Sequence, residues 1–527
     1  MNKQVRKKET SLQEIFTRLI EFRYDGIVIA SLYFFIILIV SLLFHKVGDY
    51  GVETDFFWNY VPEAKNFING NLIIDPFRGP FYPIILGILN LIFYNYFVTG
   101  IILGIFSASL VIFLVYELIR KLFSPLSAFF VVALLSVNPI FVQYSYSAGT
   151  DMLFNALATA TLYFFFKDNK LNYQNLIIVS ILAGLSYLTR YNGVFLFGFV
   201  FIILFVNYWD LSWVKRVKTS MIFISVFTLT FAPWGIFCFI KKGSFFYNEN
   251  YKNIAYEVFG KGTIAWDQFW FEHSNSYSSL FGVIAMNPIK FFQTMIGNIA
   301  ENFWSDMNGL MGIYVGAFTI LGLILFFLTK PLTNWKSRVN GYYLANTFFF
   351  SLLLLIFYSD RFALFLIPVY AVLAVQPFLN DKFILYKKIP IQLGYFIVSL
   401  MVILTLSKSI SFNSSRINSG PKDLIELKDW YNKNIPIEMR GKKLAARKPH
   451  AAYYLGMQFY LLPAADSYSE IIEQLKKNNV DYLYLNPTET GLRREYQPLL
   501  NPEKELQGLK TEIRLNNPSS VLYKVVY

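Results

Sequence analysis

Residues 46–83 read KVGDYGVETDFFWNYVPEAKNFINGNLIIDPFRGPFYP. The stretch follows one strongly apolar segment, about 26–44, and precedes a long series of others. It gathers an acidic cluster (Asp49, Glu53, Asp55, Glu63, Asp75), an aromatic group (Phe56, Phe57, Trp58, Tyr60) and Arg78 just before Gly79-Pro80. A polar connection of this length exceeds what a simple turn needs, and such loops are often functional. Carboxylates held beside a bilayer are costly unless they face a cavity, a partner or water. The loop is therefore the first place to look for a reaction centre.

Working outward, the chain of 527 residues is 55% hydrophobic, 19% aromatic and only 15% charged, with a mean hydropathy of +0.42. Soluble domains carry about 25% charged residues, so the composition is that of a polytopic membrane protein. The net charge of +13 does not call for nucleic acid, because Lys and Arg on cytoplasmic loops are what sets membrane orientation. One cysteine, Cys238, lies in an apolar run and excludes an internal disulfide. His45, His273 and His450 are too scattered to suggest a metal site. Residues 1–25 are basic and read as a cytoplasmic N-terminus. The run 26–44 reaches the ~20 residues a span needs and lacks a small-residue cleavage site, so it reads as a retained anchor.

Further apolar runs lie near 82–94, 97–118, 126–142, 152–167, 176–190, 193–208, 217–240, 311–329, 341–358, 361–378 and 391–408. Assigning the basic connections at Arg120-Lys121, Lys167–Lys170, Lys215–Lys218, Lys330–Arg338 and Asp381–Lys388 to the cytoplasm makes the segments alternate. It places 143–151, 190–193, 241–310 and 358–361 on the outer face. Parity then leaves 82–94 over, and that run is short enough to be a re-entrant or interfacial helix. The expected fold is an all-α polytopic bundle of about 11 spans over residues 26–411, with outer loops 46–96 and 241–310. The tail, 412–527, turns polar and should form a small soluble α/β domain on the outer side. PKDLIELKDWYNKN and SYSEIIEQLKKNN read as amphipathic helices, with Leu424, Leu427 and Trp430 on one face. KLAARKP, VDYLYLNP and SSVLYKVVY read as strands.

Three groups on the outer face could carry chemistry. Asp55, with Glu53 beside it, could act as a general base toward an acceptor hydroxyl or amine; alternatively Thr54-Asp55 caps a loop helix. Arg78, Arg190 and Arg361 lie at outer membrane edges, where the orientation rule does not require them. Guanidinium groups suit bidentate phosphate binding; snorkelling, or pairing of Arg361 with Asp360, is the lesser alternative. Asp151 opens a span and could orient an arginine or bind a sugar hydroxyl, but Thr150-Asp151 before an apolar run favours a helix cap. Loop 241–310 carries Trp266, Trp270, His273 and Trp304. It could shape an acceptor cleft, yet most of these aromatics suit an ordinary membrane interface.

The order of these pieces resembles a known family. Asp55, then Tyr60 and Ala64, Gly70-Asn71, and Arg78-Gly79-Pro80-Phe81-Tyr82-Pro83 are similar to the first outer loop of the GT-C glycosyltransferases. The likeness is strongest to the protein O-mannosyltransferase and lipid A aminoarabinose transferase group. Thr-Asp-x-Leu-Phe at 150–154, LTRYNG at 188–193, DRFALFLIP at 360–368 and AARKPHAAYYLG at 445–456 resemble further pieces of the same group. The resemblance implies an inverting transferase at a bacterial cell membrane. It would move a sugar from a polyprenyl-phosphate donor to a protein, lipid or glycan on the outer face. It implies Asp55 as the general base, with Glu53 as substitute and Asp151 as a secondary acid. It also implies Arg78, Arg190 and Arg361 on the donor phosphate, and Tyr60 and Tyr82 shaping the substrate. No cofactor is implied; a divalent ion among Glu53, Asp55 and Asp151 stays open. Gly79-Pro80 stands where the family usually has Pro-Pro, and Glu53-x-Asp55 where it often has adjacent acids. An oligosaccharide polymerase or ligase, or a lipid-linked-sugar transporter, remain as rival functions.

Overall fold

The computed structural model describes residues 25–527 except 207–210, 329–335, 380–390, 464, 466, 492, 502–505 and 517–518. The basic N-terminal segment and the basic connections 330–335 and 381–388 lie outside the described residues. Helix α1 (Asp25–Phe44) is followed by the loop quoted above, which holds a short helix, α2 (Val61–Ile68). Then come α3 (Phe81–Phe93), α4 (Tyr96–Leu122), α5 (Pro125–Val137), α6 (Pro139–Tyr146), α7 (Thr150–Phe166), α8 (Tyr173–Thr189), α9 (Val194–Phe205) and α10 (Trp213–Lys242). Five described helices are long and apolar enough to cross a membrane, or six if α5 and α6, bent by 65° at Asn138-Pro139, count as one. Several shorter apolar helices stand beside them, and the chain is a multi-pass integral membrane protein.

Burial separates the helices by role. α4 lies at the centre, packed against α1, α5 and α7, and its residues from Phe97 to Ile119 are mostly buried. α1 instead turns Leu32, Phe35, Ile36 and Ile39 outward, a surface that only lipid would cover without cost. Asn95 starts α4 by accepting from the Phe97 and Val98 amides, and Asn138 starts α6 in the same way. Both satisfy amides that the first helical turn leaves without partners.

The basic turns meet at one end. Lys121 stands over the Tyr163 ring at 5.4 Å, Arg338 donates to the Phe166 carbonyl at 3.1 Å, and Arg216 donates to the Phe205 carbonyl. The loop 46–80 sits at the other end of α4, where Gly100 faces Phe56 and Ala148. Helix α3 keeps both its ends on that side. Tyr82 at its start packs on Tyr60, with ring centroids 5.0 Å apart. Past its end, Tyr96 lies under Lys65 of α2, 5.7 Å from the ring centroid.

The last apolar helix, Ile391–Asn418, runs past 411 before the tail domain begins. That domain holds a five-stranded sheet in the order β2-β1-β3-β5-β4, with β1 Lys443–Ala446, β2 Gln458–Leu461, β3 Tyr482–Leu485, β4 Leu509–Asn516 and β5 Ser519–Val525. β1 runs parallel to β2 and β3, and β5 antiparallel to β3 and β4. The helices Asp423–Asn434 and Tyr468–Lys477 fall where the amphipathic patterns place them, with Leu424 and Leu427 buried and Trp430 half-buried. β1, β3 and β5 match the expected strands. β2 and β4 are additions, and their physical character explains why. β2 is four partly exposed residues at one sheet edge, and β4 is a charged edge strand, LKTEIRLN, of the kind that discourages further pairing.

Candidate active site

The loop that follows α1 is fixed by Glu53. This carboxylate is fully buried and lies 3.1 Å from His45 Nε2. It accepts the Asp49 amide at 2.7 Å and the Ala148 amide, from the connection before α7, at 2.6 Å. Both of its oxygens are therefore engaged. That geometry does not suit Glu53 as a substitute base. Phe56–Tyr60 then forms a π-helical turn leading into α2, a local widening often found at functional sites. It buries Phe56, Phe57 and Tyr60.

Asp55 opens that turn but makes no cap hydrogen bond. Its carboxylate lies 2.9 Å from Arg78 Nη2 and 3.4 Å from Arg361 Nη1. Asp151 likewise makes no cap: a glycine holds the cap position of α7. Its Oδ1 pairs with Arg190 Nη1 and lies 3.4 Å from Arg361 Nε. The capping alternatives for both residues are thus replaced by ion pairs. Arg361 bridges Asp55 and Asp151, and the expected pairing with Asp360 is not its contact among the described residues. Arg190 and Arg361 share the Phe362 ring, at 5.1 and 5.5 Å from its centroid.

Arg78 lies 4.9 Å over the Tyr60 ring, with Asp75 on its other side at 3.7 Å. Tyr60 is in turn held at its hydroxyl, 3.2 Å from Thr150 Oγ1. Tyr60 and Tyr82 are both buried; Arg78 rests on the Tyr60 ring, which Tyr82 backs. The backbone at Gly79 passes so close to the Leu188 carbonyl that any Cβ there would collide with it. This contact sets the backbone beside Arg78 against the end of α8, and it leaves room for nothing larger than glycine at position 79.

One carboxylate stands out by access. The Asp55 side chain is 32% exposed, against 7% for Asp75 and 6% for Asp151. Burial pushes its carboxyl up, but the charges of Arg78, Arg361 and Arg190 outweigh that and hold it below the ordinary carboxylate value. It is thus ionised at neutral pH. Glu63 behaves oppositely: burial and the charge of Asp75 push it up to about 8 despite Arg78. Among the described residues no three His, Cys, Asp or Glu side chains gather as a metal site.

Two neighbouring segments border the cleft. From loop 241–310, Glu249 donates its amide to the Pro76 carbonyl at 2.7 Å, Asn250 donates to the Phe77 carbonyl, and Trp270 packs on Phe77 at 5.3 Å. Trp304 is exposed, as the interface reading expects. From the tail, Lys448 Nζ donates to Thr54 Oγ1 at 3.1 Å, and His450 meets the Asp49 carbonyl at 3.2 Å. Asp75, Phe362 and Lys448 complete the surroundings without having been expected there. Asp75 was visible only as one member of an acidic cluster, and Phe362 and Lys448 only as members of the family-like pieces 360–368 and 445–456, with no role attached.

Residues 77–237 match the family model described as dolichyl-phosphate-mannose-protein mannosyltransferase. No curated protein sequence matches the chain. Among solved structures, ArnT from Cupriavidus metallidurans bound to undecaprenyl phosphate aligns with a TM-score of 0.53 at 13% identity, covering 96% of this chain and 98% of its own. The chain has the GT-C fold. The Archaeoglobus fulgidus oligosaccharyltransferase, in complex with Zn and sulfate, aligns with a TM-score of 0.57 at 15% identity, over 89% of this chain and 69% of its own. The archaeal oligosaccharyltransferase AglB from Archaeoglobus fulgidus, in complex with an inhibitory peptide and a dolichol-phosphate, aligns with a TM-score of 0.55 at 15% identity, over 90% of this chain and 71% of its own. At these identities the likeness is one of GT-C architecture.

Proposed function

We propose that this GT-C protein is an inverting glycosyltransferase that takes a sugar from a polyprenyl-phosphate donor. The observation that carries the reading is the meeting of Arg78 and Arg361 on one accessible carboxylate, Asp55, with Arg190 joined to Arg361 through Asp151. In the reaction, Asp55 removes the proton of the acceptor hydroxyl or amine as that atom bonds to the anomeric carbon. The bond from that carbon to the phosphate oxygen breaks on the opposite face, and the polyprenyl phosphate leaves with its electron pair. The guanidinium groups meet the charge that grows on the departing phosphate, the point at which fixed charges are most effective in catalysis. A donor phosphate seated on Arg78 and Arg361 would also draw these cations away from Asp55. Its proton affinity then rises toward the range in which a general base works best.

Orientation follows from charge. The basic turns gather at the end opposite the cleft, so the positive-inside rule puts the cleft and the tail domain on the outer face. A bacterial cell membrane is the setting we infer. The acceptor is a protein, lipid or glycan of that compartment. The test is to supply the full-length protein in lipid nanodiscs with polyprenyl-phosphate monosaccharides and membrane extracts. Release of polyprenyl phosphate together with an inverted glycosidic product supports the reading. No release from any donor, mono- or oligosaccharide, would overturn it in favour of transport.

A further inference from the structure

A cavity of about 540 Å³ lies behind the reaction loop, at the junction of membrane and tail domain. Its volume falls in the range of ordinary ligand sites, roughly 300–1,000 Å³. Three elements build it: the end of α1, the end of the helix Ile391–Asn418, and the tail helix Asp423–Asn434. Its apolar edge is Leu43 and Phe44, 57% and 60% exposed on the lipid-facing side of α1. An acyl chain in the membrane would therefore run directly into the cavity mouth.

The polar wall carries both signs of charge. Besides Lys422, which donates to Asn418, and Asp49, which accepts the Gly51 and Val52 amides, the wall has Lys46 and Arg416 from the two membrane helix ends and Glu426 and Asp429, three positions apart on one helix face, from the tail. These last four are exposed, and among the described residues none of them forms an ion pair with another. A purely anionic head group would satisfy the cations and be repelled by the carboxylates. A head group carrying a phosphate and a primary ammonium meets both. We infer that this cavity binds a zwitterionic phospholipid of the phosphatidylethanolamine class, with its phosphate toward Lys46 and Arg416 and its ammonium toward Glu426 and Asp429.

The site has a bearing on the reaction loop. His45 lines the cavity and also holds Glu53, the carboxylate that fixes Asp49 and Ala148. An occupied cavity would steady the segment that presents Asp55. The binding claim itself is independent of the glycosyltransferase reading, because its readout is lipid retention.

The experiment is native mass spectrometry of the full-length protein, delipidated and then offered dioleoyl phosphatidylethanolamine, phosphatidylcholine or phosphatidylglycerol at equal concentration. Retention of the ethanolamine lipid at least five-fold above the other two is expected. The double variant K46Q/R416Q should lose that retention, while K46R/R416K should keep it, which separates lost charge from lost folding. E426Q/D429N should keep binding but transfer the preference to phosphatidylglycerol. Equal retention of all three lipids, a preference for phosphatidylglycerol in the native protein, or a K46Q/R416Q variant indistinguishable from it would each overturn the assignment.

Discussion

Arg361 joins the two acidic groups of the cleft, since its guanidinium reaches Asp55 by the Nη atoms and Asp151 by Nε. A lysine ammonium is a point charge and cannot span both carboxylates. Arg361→Lys should therefore lower single-turnover transfer about 10²-fold, the usual order for losing one preorganised charge contact. An unchanged rate would mean that only net charge matters at this position. Glu63 gives a second prediction at this scale. Its folded value of about 8 exceeds its ordinary 4.5, so between those values the folded chain binds more protons than the unfolded one. Stability should then fall as pH rises through that window and level off above it. Glu63→Gln, which stays neutral, should flatten the slope of Tm against pH from 5 to 8 and melt higher than the native chain at pH 8. Parallel slopes would contradict the assignment.

Among the elements, the connection from α2 to α3 sets the position of Arg78. Gly79 lies against the Leu188 carbonyl near the end of α8, so a methyl group there must displace backbone. Gly79→Ala should cost about 1–3 kcal/mol of stability, as overpacking commonly does, and should weaken donor binding because Arg78 moves with it. Thermal unfolding and donor titration check both parts; normal donor affinity would show that Arg78 is placed independently of Gly79. Much at this scale was legible in the sequence. Apolar runs delimit spans whatever their partners, and basic turns sort by face because membrane insertion demands it. The pairing of Asp55 with Arg78 and of Asp151 with Arg190 was not legible. These residues are separated by long stretches of chain, and Thr-Asp before an apolar run has the same local form whether the carboxylate caps a helix or holds an arginine.

For the whole molecule, the tail domain and the first loop share one packing unit. Val47 belongs to the tail's apolar core, and Phe57 packs on His450 and Tyr453 at 4.5 and 4.6 Å. Burial in this apolar contact pushes His450 down to about 3, so it stays neutral through the physiological range. Phe57→Ala should cost about 3–5 kcal/mol and make the link between membrane bundle and tail more susceptible to protease; unchanged cleavage would mean the domain is held elsewhere. The expected tail domain was readable from composition and helix periodicity, but its seat on the reaction loop was not, because contacts such as Lys448 to Thr54 depend on the folded arrangement alone.

The most direct test of the central claim compares the native chain with Asp55→Asn, measuring donor binding and single-turnover transfer separately in the same nanodiscs. A general base supplies about 10²–10⁴-fold, so transfer should fall by that order while the donor still binds, held by the arginines that Asp55 no longer neutralises. Full transfer by Asp55→Asn would contradict the account and remove Asp55 from the chemistry.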